Sequence, residues 1–418
     1  MKVLGIVTEY NPFHNGHIYH IEQSKTVSGC DSVICVMSGN FIQRGEPALI
    51  NKQARAEIAI NNGVDLVIEL PHPYAMSGAE TFASGAVKIL HSLGVVDCIS
   101  FGSEHGEISS LEHIADILVN EPEKYKTELK AQLDTGLSYA VCRQNALKKY
   151  LETASPQKFD PRISELLETS NNILGIEYLK AIKRLQSPIK ACTVKRVSNG
   201  YNTPQLTGEI SSATAIRNSI LSQDKTANAY DSVPGSAKDI IGKEFSEGRG
   251  PNGIRAYENI IFSMLRQMKP EQIRNIPDVT EGLEYRIKSA GENSGTIEEL
   301  IANICTRRYP QTRIRRILFS VLTGVSKTDM ELFARYGGPQ YARILGFNQT
   351  GRELLSKMKK SSALPVITKL ADYKHSGGPL SRMIEIESLS TDMYVLAYKN
   401  PAFRQAGQEF TQNVVILK

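Results

Sequence analysis

The chain has 418 residues, 41% hydrophobic and 22% charged, with a formal net charge of +5. At roughly 150 residues per domain this predicts two or three domains, and the balance is that of a folded globular protein, which excludes long disordered stretches. The six cysteines (30, 35, 98, 142, 192, 305) lack CxxC spacing, so neither a zinc centre nor a disulfide framework is expected. The first apolar run is too short for a signal peptide, and no window approaches the ~18 apolar residues of a spanning helix, so no membrane partner and a cytoplasmic location are expected.

In chain order, Val3 to Thr8, Ser32 to Met37, Asp65 to Glu69 and Cys98 to Phe101 are short β-branched runs that read as buried parallel strands. Between them, Gly16 to Ser28, Lys52 to Asn62 and Ser77 to Leu93 have helical spacing, the last two stopped by Gly63 and Gly94. Alternating strands and helices with short links predict right-handed crossovers and an α/β fold built on a doubly wound, Rossmann-like parallel sheet. Residues 109 to 186 are mostly helical in pattern, with a restart at Glu121-Pro122 and a break from Ser155-Pro156 to Asp160-Pro161. Ile189 to Val197 reads as one more strand, followed by a Gly-Tyr-Asn-Thr-Pro loop at 200 to 204 and then ISSATAIR at 210 to 217, a loop running into a helix. Residues 223 to 252 form the candidate linker. Helical patterns then dominate to about 360, and Met393 to Tyr398 and Asn413 to Leu417 read as strands. The expected division is a nucleotide-binding domain over 1–222 and a mostly helical, basic domain over 253–418.

Chemistry concentrates where strands end, the ligand edge of a doubly wound sheet. His14-Asn15-Gly16-His17 follows the first strand and opens a helix, whose free N–H groups and positive dipole end suit a phosphate. Two imidazoles there can donate to phosphoryl oxygens as charge builds on them, whereas a plain helix cap is the competing account. Seven of the eight histidines fall in the first 113 residues. After the second strand, Gly39, Asn40, Gln43 and Arg44 can wrap a small carboxylate or a phosphate, or can belong to a surface loop. Gly102, after the fourth strand, leaves room for adenine or ribose, with Glu104 beside it. Ser211, Ser212 and Thr214 make an anion nest from which Arg217 can reach a β- or γ-phosphate, unless they are only an N-cap with a surface arginine. Residues 301 to 350 carry seven arginines and Lys327 against Asp329 and Glu331, with Tyr309, Tyr336 and Tyr341 interleaved. There, Arg307, Arg308, Arg313, Arg315 and Arg316 are RNA-binding candidates, and spacing puts Arg308, Arg315 and Arg316 near one helical face. Ser356 to Ser361 imitates a KMSKS loop but ends a charged helix and reads as a solvated basic face.

Strand-HxGH-helix near the start with a late ISSATAIR turn resembles the HIGH-type nucleotidyltransferase superfamily. The runs EYNPFHNGH, VMSGNFIQRGEPA, DLVIELP, FGSE, NNILGIEY and ISSATAIR, with the later TRRYPQTRIRRIL, look in this order like the bacterial tRNA(Met) cytidine acetate ligase family. The resemblance implies a ligase that uses ATP to activate acetate as acetyl-adenylate and acetylates the exocyclic amine of the wobble cytidine in elongator tRNA(Met). It carries ATP binding onto Val7, Thr8, Glu9, Tyr10, Asn11, Pro12, Phe13, His14, Asn15, Gly16, His17, Ile18, Tyr19 and His20, and onto Gly102, the Asn171-Asn172 pair and Arg196. His14, His17 and Arg217 take the catalytic roles, the loop of Gly39, Asn40, Gln43 and Arg44 takes acetate, and Mg²⁺ is expected on the pyrophosphate, with no carboxylate cluster announcing its site. Two rival readings are an adenylyltransferase acting on a phosphorylated metabolite and an RNA-binding protein that keeps only the nucleotide fold.

Overall fold

The computed structural model describes residues 1–154, 163–196, 211–222, 229–280 and 282–417. The loop at 200 to 204, the break at 155 to 161, Val197, Ile210 and the first part of the expected linker lie outside these described residues.

The core is an eight-stranded sheet. Strands β1 (Val3–Thr8), β2 (Ser32–Ser38) and β3 (Leu66–Leu70) are almost entirely buried. Apart from Glu69 and the Ser and Thr at strand ends, they are apolar along their length rather than alternating because helices cover both faces. β4 (Cys98–Ser103) and β5 (Lys190–Lys195) continue the sheet on the other side of β1. Helices α1 (Asn15–Ser28), α2 (Lys52–Asn61) and α3 (Ala79–Ser92) form the crossovers. The chain leaves β1 toward β2 on one side and later returns to β4 on the other, so the order reverses at β1. The HNGH turn sits at this switch point, where the ends of β1 and β4 open a crevice.

Three further strands come from beyond residue 340: β6 (Ala342–Phe347), β7 (Val366–Ile367) and β8 (Val415–Ile416). β6 pairs antiparallel with β3, and both β7 and β8 pair with β6. This corrects the expected division: the segment 253–418 is not a separate helical unit, because it completes the sheet of the first, and the described part of 223–252 is not a linker, because helix Gly235–Ser246 packs into the same core as α2. Met393 to Tyr398 is not a strand either; it is the end of the helix Gly378–Val395 and the turn after it. Asn413 to Leu417 does contain a strand, though only β8.

The register sets Glu69 of β3 opposite Arg343 of β6. Around this pair lies a fully buried ionic cluster. Lys52 Nζ stands 2.5 Å from Glu69, 3.0 Å from Glu387 and 2.5 Å from Glu409, while Arg343 reaches Glu69 at 3.0 Å and also Glu409. Three carboxyls face two cations. Burial, followed by the neighbouring Glu387 charge, pushes the Glu69 carboxyl up to about 8, whereas Arg343 and Lys52 overcome burial to hold Glu409 down at about 2. Asn40 belongs to the same cluster: its Oδ1 accepts from Lys52 N and its Nδ2 donates to Thr391.

A second core joins the helices over 254–323 to the end of helix Gly378–Val395, and Phe41 is driven into it against His72, Phe319 and Tyr394. The segment from Ser38 to Pro47 is therefore anchored at its middle and is not a surface loop. Among the described residues no helix is long and apolar enough to cross a membrane, and the six cysteines are free.

Candidate active site

α1 begins with a capping box made of two histidines. His14 is the N-cap and its Nδ1 accepts from Gly16 N at 3.1 Å; His17 Nδ1 accepts in return from His14 N, also at 3.1 Å. A main-chain N–H can only donate, so both Nδ1 atoms are bare acceptors, and in the neutral imidazoles the proton sits on Nε2. The rings stack with centroids 3.7 Å apart, and Tyr10 and Phe13 pack on His17. Tyr10 takes a positive φ of 46° while its side chain is buried, so packing holds a backbone conformation that disfavours side chains.

Burial, followed by the charges of Arg196 and Arg217, lowers His14 to about 3. Burial and then His14 hold His17 well below its usual value, and burial with Arg196 lowers His20 to about 4. At neutral pH the histidine pair thus presents two Nε2–H donors without carrying charge. Each group binds a proton in the unfolded chain below about pH 6.5 but not in the fold. Their contribution to stability is therefore complete above pH 6.5 and is lost as the pH falls toward 3 to 4. The melting temperature is expected to drop across this interval, with a shallower slope in His20→Gln; a flat profile in the parent protein would contradict the neutral assignment.

The ISSATAIR segment meets this turn. Ser212 Oγ caps helix Ala213–Ser222 by accepting from Ala215 N at 3.1 Å, and Ser211 is bonded to Ser232 at 2.8 Å. Arg217 is buried, with Nη1 donating to the Asn11 carbonyl at 2.6 Å and Nη2 lying 3.4 Å from Thr214 Oγ1 and 3.6 Å from Glu46. Asn15 reaches the Asp231 carbonyl at 3.4 Å. Two segments 200 residues apart in sequence thus share one crevice, and the arginine is not on the surface.

On the β4 side, Asn172 is fully buried; its Oδ1 accepts from Glu104 N at 3.2 Å, and Asn171 Nδ2 donates to Glu104 Oε1 at 3.0 Å. Arg196 Nε is 4.0 Å from the same carboxylate, and its side chain crosses Gly102, where an added Cβ would meet Arg196 Cγ at 3.3 Å. Two buried amide nitrogens around the crevice make no hydrogen bond, Asn11 Nδ2 and Asn172 Nδ2. A buried donor left unmade costs about 1–3 kcal/mol, so these sites favour a ligand rich in acceptors.

Other sequence candidates contribute shape or lie elsewhere. Thr8 Oγ1 turns to Cys35, and Val7 and Ile18 pack on the apolar cores. Of the four acetate candidates, Asn40 uses its amide within the ionic cluster, and a Cβ on Gly39 would lie 2.8 Å from Glu69, so both belong to that buried interior. Gln43 and Arg44 do flank the crevice: Gln43 N donates to Glu9 Oε1 at 2.9 Å, and the Glu9 carboxyl is raised by burial against the pull of Arg44 and Arg217. Arg307 and Arg308 are exposed, but they occupy a turn before helix Gln311–Thr323, so Arg308 does not share a helical face with Arg315 and Arg316. Arg313 bonds the Asp278 carbonyl at 2.6 Å and lies over Tyr309; Arg316 pairs with Asp278 at 3.3 Å, and Arg315 with Glu46. Glu46, the residue that bridges Arg315 and Arg217, lies within the VMSGNFIQRGEPA run, but its role is set by arginines distant in sequence.

A parallel sheet that brings an imidazole pair and a distant serine-rich turn to its switch point is the arrangement of a nucleotidyl transferase. A family model described as HIGH Nucleotidyl Transferase matches residues 1–409, and the chain belongs to that family. It is 54% identical over 423 residues to the tRNA(Met) cytidine acetate ligase of Acetivibrio thermocellus, covering 100% of both chains, and 47% identical to that of Caldanaerobacter subterraneus, covering 96% of each. The crystal structure of Thermotoga maritima TmcAL bound with alpha-thio ATP superposes with a TM-score of 0.93 at 36% identity, covering 100% of both chains. Within the nucleotidyl transferases, the chain is a member of the tRNA(Met) cytidine acetate ligases. Membership sets aside both rival readings.

Proposed function

We propose that this chain uses ATP to convert acetate to acetyl-adenylate and then transfers the acetyl group to the exocyclic amine of the wobble cytidine in elongator tRNA(Met). The observation that carries the reading is the stacked, neutral histidine pair with both Nε2–H groups free of the capping bonds, beside two arginines. Acetate attacks the α-phosphorus in line and pyrophosphate leaves. Charge grows on the phosphoryl oxygens as this happens, and donors already in place stabilise it without reorganisation. His14 and His17 serve those oxygens, and Arg217, fixed by the Asn11 carbonyl, serves the leaving pyrophosphate. Asn171, Asn172, Gly102 and Arg196 hold the nucleoside end; Gln43 and Arg44 are the acetate contacts. Next, the amine nitrogen attacks the acetyl carbonyl, the bond to AMP breaks, and the amine gives up a proton.

Among the described residues no group of three His, Cys, Asp or Glu side chains is set to hold a metal. Magnesium would therefore be carried chiefly by the phosphates, as that ion commonly is, and no step here is routed through it. Incubation with ATP, acetate and tRNA(Met), followed by mass analysis of the nucleosides, tests the reading: acetylcytidine with AMP release is expected, and AMP release with unmodified RNA would refute it.

The exposed Arg307 and Arg308 are assigned to RNA phosphates. Replacing both by alanine is expected to weaken tRNA binding and to flatten the dependence of log affinity on log salt by about 1.5 to 2 units, measured by filter binding across a salt series. An unchanged slope would remove them from the RNA surface.

A further inference from the structure

A cavity of about 460 Å³ opens between helix Ile297–Ile304 and the start of helix Gln311–Thr323. Its inner wall is apolar (Ile254, Ile297, Ile301), and Thr306, Gln311, Arg315 and Glu298, the last paired with Arg255 at 2.7 Å, supply polar groups. That size and lining suit a small planar ligand fixed by a few hydrogen bonds.

Three observations indicate what occupies it. The turn that forms its mouth carries Arg307 and Arg308, and Arg313 follows, stacked on Tyr309, so the approach is cationic and matches a polyanion. Arg315 Nε is buried in the wall and makes no hydrogen bond, whereas its Nη1 is held by Glu46; an N–H there awaits an acceptor such as a base carbonyl. Lastly, the wall is joined to the phosphate crevice, because the other oxygen of Glu46 lies 3.6 Å from Arg217. Gly45 fixes that joint: at φ 74° it packs so closely that a Cβ would stand 2.5 Å from Arg316 N. Single-stranded RNA is read by splaying unpaired bases into such pockets beside arginine planes.

We propose that this cavity receives an unpaired base of the RNA substrate, one that neighbours the reacting cytidine. Glu46 and Arg315 stand between the cavity and the Asn11 turn, so a base seated here does not itself meet the adenylate; it positions the strand so that the adjoining nucleotide does. The inference rests on the RNA-acetylating reading above, and its test separates the two.

Ala302 lines the rim and is exposed, so Ala302→Trp fills the opening from outside. Affinity for tRNA(Met) is expected to fall at least tenfold, with acetate-dependent ATP–pyrophosphate exchange, which needs no RNA, kept as the control. On the RNA side, an anticodon stem-loop made abasic next to the wobble cytidine is expected to bind the parent at least tenfold more weakly, yet to bind Ala302→Trp no worse than the intact loop does. Equal tRNA affinity of parent and variant, or an abasic penalty that persists in the variant, overturns the cavity assignment. Absence of exchange in the parent would instead refute the adenylation reading, and the binding comparison would still decide the cavity.

Discussion

Replacing His17 by alanine is expected to lower acetate-dependent ATP–pyrophosphate exchange by about 100-fold or more while leaving the protein folded. The size follows from removing a preorganised donor aimed at developing charge in a site shielded from water. Two functions are lost together, since His17 Nδ1 also caps the His14 amide, and a lost cap alone costs typically ~1 kcal/mol of stability. His17→Asn distinguishes them. Its side-chain oxygen can accept the His14 amide hydrogen bond, but it places no donor where Nε2 stood, so stability should recover and exchange should not. Recovery of exchange in the asparagine variant would show that capping, rather than donation to phosphate, was the part His17 plays.

Replacing Lys52 by methionine is expected to destabilise the fold by about 3–5 kcal/mol, read as a lower urea midpoint, because it leaves Glu69, Glu387 and Glu409 buried with Arg343 as their one remaining cation in the cluster. Glu69→Gln should be far milder. Burial and the neighbouring Glu387 charge already push the Glu69 carboxyl up to about 8, so a neutral amide in its place costs little at neutral pH. The sign is set by its raised value: stability from the protonated Glu69 is complete below about pH 4.5 and is lost as the pH climbs toward 8. The glutamine variant should therefore lose less stability than the parent across that interval. A Lys52→Met protein as stable as the parent would show that the cluster contributes little.

The first four strands were legible because each is a continuous apolar run closed by turn residues, and such runs admit one placement in a doubly wound sheet. β6 was not. Ala342 to Phe347 is six residues long, contains Arg343 and sits among helical patterns; what makes it a strand is a partner 274 residues earlier, and the charge that argues against burial is the charge that pairs with Glu69. Helix Gly378–Val395 was obscured in a similar way, since Glu387, Ser390 and Thr391 are buried on it and blur its apolar stripe. At the crevice, the histidines, the serine turn and Arg217 were readable as types in a spacing. Their reciprocal capping, which fixes where each proton resides, depends on distances of about 3 Å that letters do not carry. The bridging role of Glu46, a residue of the VMSGNFIQRGEPA run, was hidden for the same reason: it arises only because Arg217 and Arg315 arrive on either side of it.

The late arrival of β6 bears on how the protein is made. Until residue 343 has left the ribosome, β3 is a bare edge whose Glu69 lacks its Arg343 partner, and at about 5–20 residues per second that interval lasts on the order of tens of seconds. The nascent amino-terminal half therefore emerges with a surface prone to wrong partners, and chaperone demand during translation should be concentrated there.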